Sequence, residues 1–461
     1  MRKESRWIVE KADLSCFLLI FLCFFLSSCV YLSWLYRLGE LVSASAADFL
    51  SMVAGYLLQA SGLGLFALAE RKAGSLMGYP SFAAALCLLV LCCVPAARSG
   101  YVSGVLVFGL LSNLLTGFLA GFYLRALSSR VEEGHRGLVF GGGYAAAAVA
   151  GWLVSLPLGH GFLKSGYALL FYAALALLIL VLFRRDFAVP KAKEPRPTAL
   201  PEGSKRLLVL AAVTVALLSL VKNIGFGFPM ADLAEGVSLE FSRLLYAVGL
   251  VIAGFISDKS RKYGAMCTLA ALITPFILLA LRGEPVPATV FWALDYLFYG
   301  FFSVFRVLYF SDLSGKLGAG YLAGFGLLFG RVGDALGSAV YSLLAGRFSL
   351  LLTAAALLFA GTVFLFFRLY QKSYLADPAK EKNEQELFEQ FSARYDLSPK
   401  ERSVMRLVIG EQSNAEIAQA LFVSESTVKF HIHNILKKTG CKNRASLLSR
   451  YRADTVGPGE G

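Results

Sequence analysis

Through about residue 370, apolar stretches of roughly twenty residues alternate with short polar breaks, a rhythm set by bilayer thickness rather than by one face of a soluble helix. The runs fall at 14–35, 47–69, 79–97, 101–124, 138–158 and 165–183, and again at 207–230, 241–257, 264–281, 288–311, 319–345 and 349–369. Each is long enough to cross the hydrocarbon as a helix, which satisfies its own backbone hydrogen bonds there. Between the sixth and seventh lies RRDFAVPKAKEPRPTALPEGSKR, 184–206, whose prolines and cations suit neither a span nor a packed helix. The pattern predicts an all-α polytopic bundle of twelve transmembrane helices. Two six-helix halves, 1–183 and 207–370, are joined by the basic linker 184–206. The first run follows a basic start, exceeds a leader's apolar core and lacks a small-residue cleavage site, so it is expected to remain a span.

After residue 370 the period changes. A charged connector, 371–394, is expected to be helical over 384–394 with Leu387, Phe388 and Phe391 on one side, a solvated linker helix rather than the alternative, a dimer contact between membrane and DNA. Residues 395–453 then read as four short helices, and 454–461 as a disordered tail. Ser398 with Pro399, Asn414, Ser424, and Asn443 or Arg444 mark the helix starts. In the third helix, Val428, Ile432, Ile435 and Leu436 form a stripe for burial. Glu425, Lys429, Phe430, His433 and Lys437 share the opposite face, at spacings that fit a major groove. Lys429 suits guanine acceptors or a phosphate, Phe430 a thymine methyl, and His433 either donates or accepts. Thr427, Lys438 and Arg444 suit phosphates, which fix register and carry salt-dependent affinity.

Composition agrees with two environments: 57% of the 461 residues are hydrophobic and 16% charged, yet the net charge is +13. Placing the amino terminus in the cytoplasm puts Arg2, Lys3, Arg6, Lys11, Arg71, Lys72, Arg125, Arg130, Arg136, the 184–206 linker, Lys259, Arg261, Lys262 and Lys316 inside. That leaves Arg37, Arg98, Lys164, Arg243, Arg282 and Arg347 outside. An even number of spans returns the carboxyl terminus to the same side. Seven of the eight cysteines lie in apolar runs without paired spacing, and the four histidines are scattered, so no metal or cofactor is expected. A phosphate loop, a catalytic triad and a kinase signature are all missing from the sequence, which argues against an enzyme.

The tail resembles the LuxR-type helix-turn-helix domain of bacterial regulators through LSPKER (397–402), SNAEIA (413–418), SESTVKFHIHNILKK (424–438) and KNRA (442–445). The resemblance implies transcriptional control, base contacts by Lys429, Phe430 and His433, and pairing of two copies through residues 445–451. Phe430 is larger than is common in that family, so the target bases do not follow. GFISDKSRKYG, 254–264, resembles the cytoplasmic loop signature of major facilitator transporters, with a degenerate counterpart ALAERKAG at 67–74. That resemblance implies a loop latch at Asp258, Arg261 and Lys262.

Charges inside hydrocarbon are costly, so the few present carry information. Lys222, Asp295 and Arg306, with Trp292, Tyr296 and Tyr299 nearby, are expected either to line a ligand cavity or only to pair with one another or hold gates. Arg331 and Asp334, three apart on one helix, are expected to pair at a gate. The glycines of 141–151 and of 320–337 read as helix-contact stripes. Together these features describe a multi-pass inner-membrane regulator with both termini cytoplasmic. It would sense a small molecule and bind double-stranded DNA as a dimer, with RNA polymerase as a further partner. Two other arrangements fit the same residues: an active transporter with a regulatory tail, and an inert anchor for a DNA-binding domain.

Overall fold

The computed structural model describes residues 10–74, 76–186, 202–232, 239–274, 276–277, 288–344, 346–375, 378–410 and 412–455. They fall into two units that divide between Tyr374 and Leu375. Most of the linker at 184–206 and the tail at 456–461 lie outside the described residues.

Each of the twelve apolar runs carries a helix. In the first half these are α1 (Lys11–Leu41), α2 (Ala44–Phe49) continuing into α3 (Tyr56–Ala73), α4 (Tyr79–Arg98), α5 (Val102–Arg130), α6 (Arg136–Ser155), and α8 (Gly166–Leu182) after a short α7 (Pro157–Lys164). The second half has α9 (Glu202–Asp232), α10 (Leu239–Lys259), α11 (Arg261–Ala271), α12 (Ala288–Leu317), α13 (Phe325–Leu344) and α14 (Phe348–Tyr374). Among the described residues, nine helices are long and apolar enough to cross a membrane, and Gly166–Leu182 is shorter.

Among the described residues the structure departs from uninterrupted spans at several places, the ninth run among them, whose helix ends at Ala271. Pro157 starts a new helix at its first position, where a missing N–H costs nothing, so the fifth run ends at Ser155. The second run contains a π-helical stretch over Leu50–Gly55, just before Tyr56 and Gln59. The eleventh run opens on a 3-10 turn, Gly320–Leu322, just after Gly318 takes the left-handed conformation at φ 60°.

The halves meet where α6 packs on α10 and where α3 packs on α13. The first crossing depends on glycine. A Cβ on Gly137 would collide with the Gly254 carbonyl, and one on Gly254 with the Gly137 carbonyl, so the two backbones touch directly. Within the second half, Cβ atoms on Gly333 and Gly337 would strike the carbonyls of Ala216 and Leu220, which lets α13 lie against α9. The glycine stripe of the eleventh run thus sets how close the charged groups on these helices come.

The second unit contains α15 (Pro378–Arg394), α16 (Pro399–Ile409), α17 (Asn414–Leu421), α18 (Glu425–Thr439) and α19 (Arg444–Thr455). Its own core includes Phe388, Phe391, Val404, Met405, Val408, Ile417, Val428, Ile435 and Leu447. Phe388 and Phe391 are therefore interior residues of this unit. Phe391 packs its ring 4.8 Å from Tyr395 and 5.0 Å from Tyr451, so the helix holding it is part of the domain rather than a solvated spacer.

Candidate functional site

Local chemistry sets the geometry of the tail unit. Ser398 caps α16, accepting the Glu401 N–H, while the Glu401 carboxylate accepts the Ser398 N–H at 2.8 Å, a reciprocal box. The next helix is capped by Ser413, one residue before the expected Asn414, because Ser413 and Glu416 form the same box. Phe422 then adopts the left-handed conformation at φ 55°, and the Val423 N–H reaches back to the Ala418 carbonyl at 3.0 Å to close the turn. Ser424 caps α18, accepting the Thr427 N–H at 3.2 Å, and Gly440 ends it at φ 68°.

Val428 and Ile435 of α18 are buried, and the opposite face is open. Lys429, Phe430, His433 and Lys437 are exposed along it, Phe430 by 61%. An apolar ring kept in water on a cationic helix is suited to contact with another surface. Thr427 is half-buried, its hydroxyl 2.8 Å from that of Ser424.

Two of the residues expected at phosphates are engaged within the domain. Lys438 donates to the Asp396 carbonyl at 2.6 Å and to Glu401 at 2.8 Å. Arg444 donates to the carbonyls of Val408 and Gln412. Both partners are more than thirty residues away in sequence, so helix periodicity gave no sign of them. Burial by itself would raise the Glu401 carboxyl, but the Lys438 ammonium and the Ser398 donors outweigh it and hold the group below the usual carboxylate range.

In the membrane unit, Lys222 and Arg306, expected at a ligand, and Arg331 and Asp334, expected at a gate, form one cluster. Asp334 is fully buried and receives Lys222 Nζ at 2.6 Å on Oδ1, Arg306 Nη1 at 3.0 Å on Oδ2, and Arg331 Nη1 at 3.5 Å on Oδ2. The ring of Tyr299 lies 3.8 Å from Lys222 Nζ. Asp295 is buried, and its Oδ2 lacks a hydrogen-bond partner among the described residues. The side chain of Trp292 lies outside the described residues.

Beside this cluster, a cavity of about 270 Å³ opens between the halves. Of the residues singled out from sequence, Tyr296 and Arg331 line it, whereas Lys222, Asp295, Tyr299 and Arg306 do not. Arg331, expected at a gate, thus stands at the cavity wall with its guanidinium 4.5 Å from the Tyr56 ring. Sequence reasoning missed Tyr31, Tyr56, Gln59, Tyr123, Trp152 and Tyr246, which also line it. Polar-tipped aromatics and a glutamine inside apolar runs, as at Tyr56 and Gln59, were the available signal.

A second polar network ties the halves together at one end of the bundle. Asp258 accepts the N–H groups of Gly137 and Leu138, each at 2.7 Å, which places a carboxylate at the amino-terminal end of α6. Arg261 bridges Asp258 at 3.0 Å and Asp312 at 2.7 Å, and Arg136 reaches Asp312 at 2.9 Å. Lys262 is exposed. At this same end Asp13 of α1 meets His135 at 2.9 Å, and Tyr309 meets Ser373 of α14 at 2.8 Å. The chain therefore enters and leaves the bundle at one end.

Residues 396–450 match the model of the luxR family of bacterial regulatory proteins, GerE. Spore germination protein GerE of Bacillus subtilis is 39% identical over 56 residues, which are 12% of this chain and 76% of that protein. The CsgBAC operon transcriptional regulatory protein of Escherichia coli is 42% identical over 53 residues, 12% of this chain and 24% of that protein. The chain thus spans about a quarter of that regulator's length. Among solved structures, nucleoside transporter NupG is similar with a TM-score of 0.51 and 17% identity, covering 78% of this chain and 99% of the transporter. The human organic anion transporter MFSD10 is similar at 0.54 and 16%, with the same coverage. At these identities the likeness is one of fold: the helical bundle shares the fold of these two transporters.

Proposed function

Because the chain belongs, through residues 396–450, to the luxR family of bacterial regulatory proteins, we propose that it is a membrane-embedded transcriptional regulator whose bundle senses a small molecule. The observation that carries this reading is the joining, in one chain, of a facilitator-fold bundle holding an inter-half cavity and a helix-turn-helix with an open cationic face. The proposed DNA contacts are Lys429, Phe430, His433 and Lys437, with Thr427 at the backbone. Half-sites about 34 Å apart call for two copies, and α19 is the proposed pairing helix. Lys and Arg counts in the short loops favour placing the bundle end that carries Asp13, Asp258 and Ser373 in the cytoplasm of the inner membrane. Both chain termini would then lie on the side of the chromosome.

Coupling requires that a ligand bind one packing of the bundle better than another, by about 1–3 kcal/mol in typical cases. The Asp258–Arg261–Asp312–Arg136 network supplies a latch that holds one packing closed. The transporter fold and its cavity favour one further reading, an active carrier with a regulatory tail.

A promoter-reporter assay separates these readings. The full chain is compared with a 375–461 fragment under a panel of added compounds, alongside uptake by the reconstituted full chain. Compound-dependent expression by the full chain alone supports sensing. Identical regulation by the fragment reduces the bundle to an anchor, and concentrative uptake supports the carrier.

A further inference from the structure

Around the central cluster the charges do not balance. Three cations, Lys222, Arg306 and Arg331, stand with two carboxylates, Asp334 and Asp295, so at least one positive charge is in surplus. Geometry shows which one. Both oxygens of Asp334 are taken at short range by Lys222 at 2.6 Å and Arg306 at 3.0 Å, whereas Arg331 reaches the same group only at 3.5 Å. Arg331 Nε is buried without a partner among the described residues. This under-used guanidinium lines the cavity, steadied against the ring of Tyr56. The wall carries a second buried donor in the same condition, Trp152 Nε1. A guanidinium N–H and an indole N–H left without acceptors at a cavity wall are expensive to keep unless something arrives to accept from them.

The rest of the lining completes the description. Tyr31, Tyr123, Tyr144, Tyr246 and Tyr296 line the space, and its volume of about 270 Å³ falls just short of the roughly 300–1,000 Å³ usual for small-molecule pockets. We propose that the cavity binds a small organic anion, its carboxylate or phosphate oxygens accepting from Arg331 and Trp152 and its planar body lying among the tyrosines. This names the ligand class of the sensor reading and rests on it. Lys222 and Arg306 are positioning residues. By saturating Asp334 they keep its charge from neutralising Arg331, and the glycine contacts of α13 with α9 and with Arg306 of α12 hold them there.

The test uses the full chain in lipid nanodiscs with four probes: 4-hydroxybenzoate, benzyl phosphate, and the neutral counterparts methyl 4-hydroxybenzoate and benzyl alcohol. The anions are expected to raise the thermal midpoint by mass action and to quench tryptophan fluorescence, with the neutral probes inert. Arg331→Gln is expected to weaken anion binding about tenfold or more, and Arg331→Lys to retain part of it. Should Arg331→Gln not fold, Trp152→Phe decides: it keeps the ring, loses the quenching and weakens the anions several-fold. The proposal is overturned if no anion shifts the wild type, if neutral probes bind as well as anions, or if Arg331→Gln or Trp152→Phe binds anions with full affinity.

Binding is read without DNA, so the two levels separate. Arg331-dependent anion binding with a promoter that ignores every anion would sink the sensor reading and leave the site standing. A promoter that responds to a compound identically in wild type and Arg331→Gln would do the reverse.

Discussion

Replacing Lys438 by Met tests whether this residue belongs to the domain or to the DNA. The change removes the ammonium 2.8 Å from Glu401, whose side chain is only 6% exposed, and strips the donor from the Asp396 carbonyl. Hydrogen bonds to charged groups contribute about 1.5–3 kcal/mol. Lys438 itself is 34% exposed, so water screens part of that, and about 1–2 kcal/mol of domain stability is expected to be lost. The loss should depend on pH with a definite sign. The folded Glu401 carboxyl is held below its ordinary range, so the stability it contributes is present above the ordinary carboxylate range and disappears as pH falls through the lowered value.

Urea unfolding of the 375–461 unit, which has its own core, at pH 7 and again in acid reads both effects. The K438M deficit should be full at neutral pH and shrink in acid. Salt titration of DNA binding by the full chain provides the opposing measurement. A phosphate contact would make the K438M slope of log affinity against log salt shallower by about one, leaving stability intact. That combination would refute the structural role assigned to Lys438.

Lys429→Glu should reduce DNA affinity in a gel-shift titration by tenfold or more while leaving the domain's unfolding midpoint within about 0.5 kcal/mol of wild type, since Lys429 is exposed. Phe391→Ala should cost about 3–5 kcal/mol in the tail unit, read by the same urea titration, because the ring is 2% exposed between Tyr395 and Tyr451. Asp334→Asn leaves three buried cations around a neutral amide. It should lower the thermal midpoint of the purified full chain, and adding Lys222→Met should restore part of the loss, because removing an unpaired buried charge removes its desolvation cost. Gly254→Leu should prevent the α6–α10 contact and abolish folded protein in size-exclusion chromatography, as its side chain would occupy the space of the Gly137 carbonyl.

What the sequence determined by itself was local. A helix in lipid must satisfy its backbone within its own residues, so the length and spacing of apolar runs placed a helix in each of the twelve, nine of them, among the described residues, long and apolar enough to cross a membrane. Caps act over three or four residues, so Ser398 and Ser424 announced their helices, and Asn414 missed its cap by one position. The buried stripe of α18 followed from its period, and with it the exposed face at Lys429, Phe430 and His433.

The tertiary structure decided which distant groups meet. Arg331 and Asp334 were legible as an i,i+3 pair, yet the short contacts to Asp334 come from Lys222 and Arg306 on other helices. Arg331 is thereby left with a donor to spare at a cavity wall. Lys438 and Arg444 looked like phosphate contacts because a cation near a helix end carries no mark of a carbonyl waiting elsewhere in the domain. The physical reason is the same in both cases. Hydrogen bonds and ion pairs act over a few ångströms, and only helix packing, here set by direct backbone contact at glycines, brings residues far apart in the chain within that range.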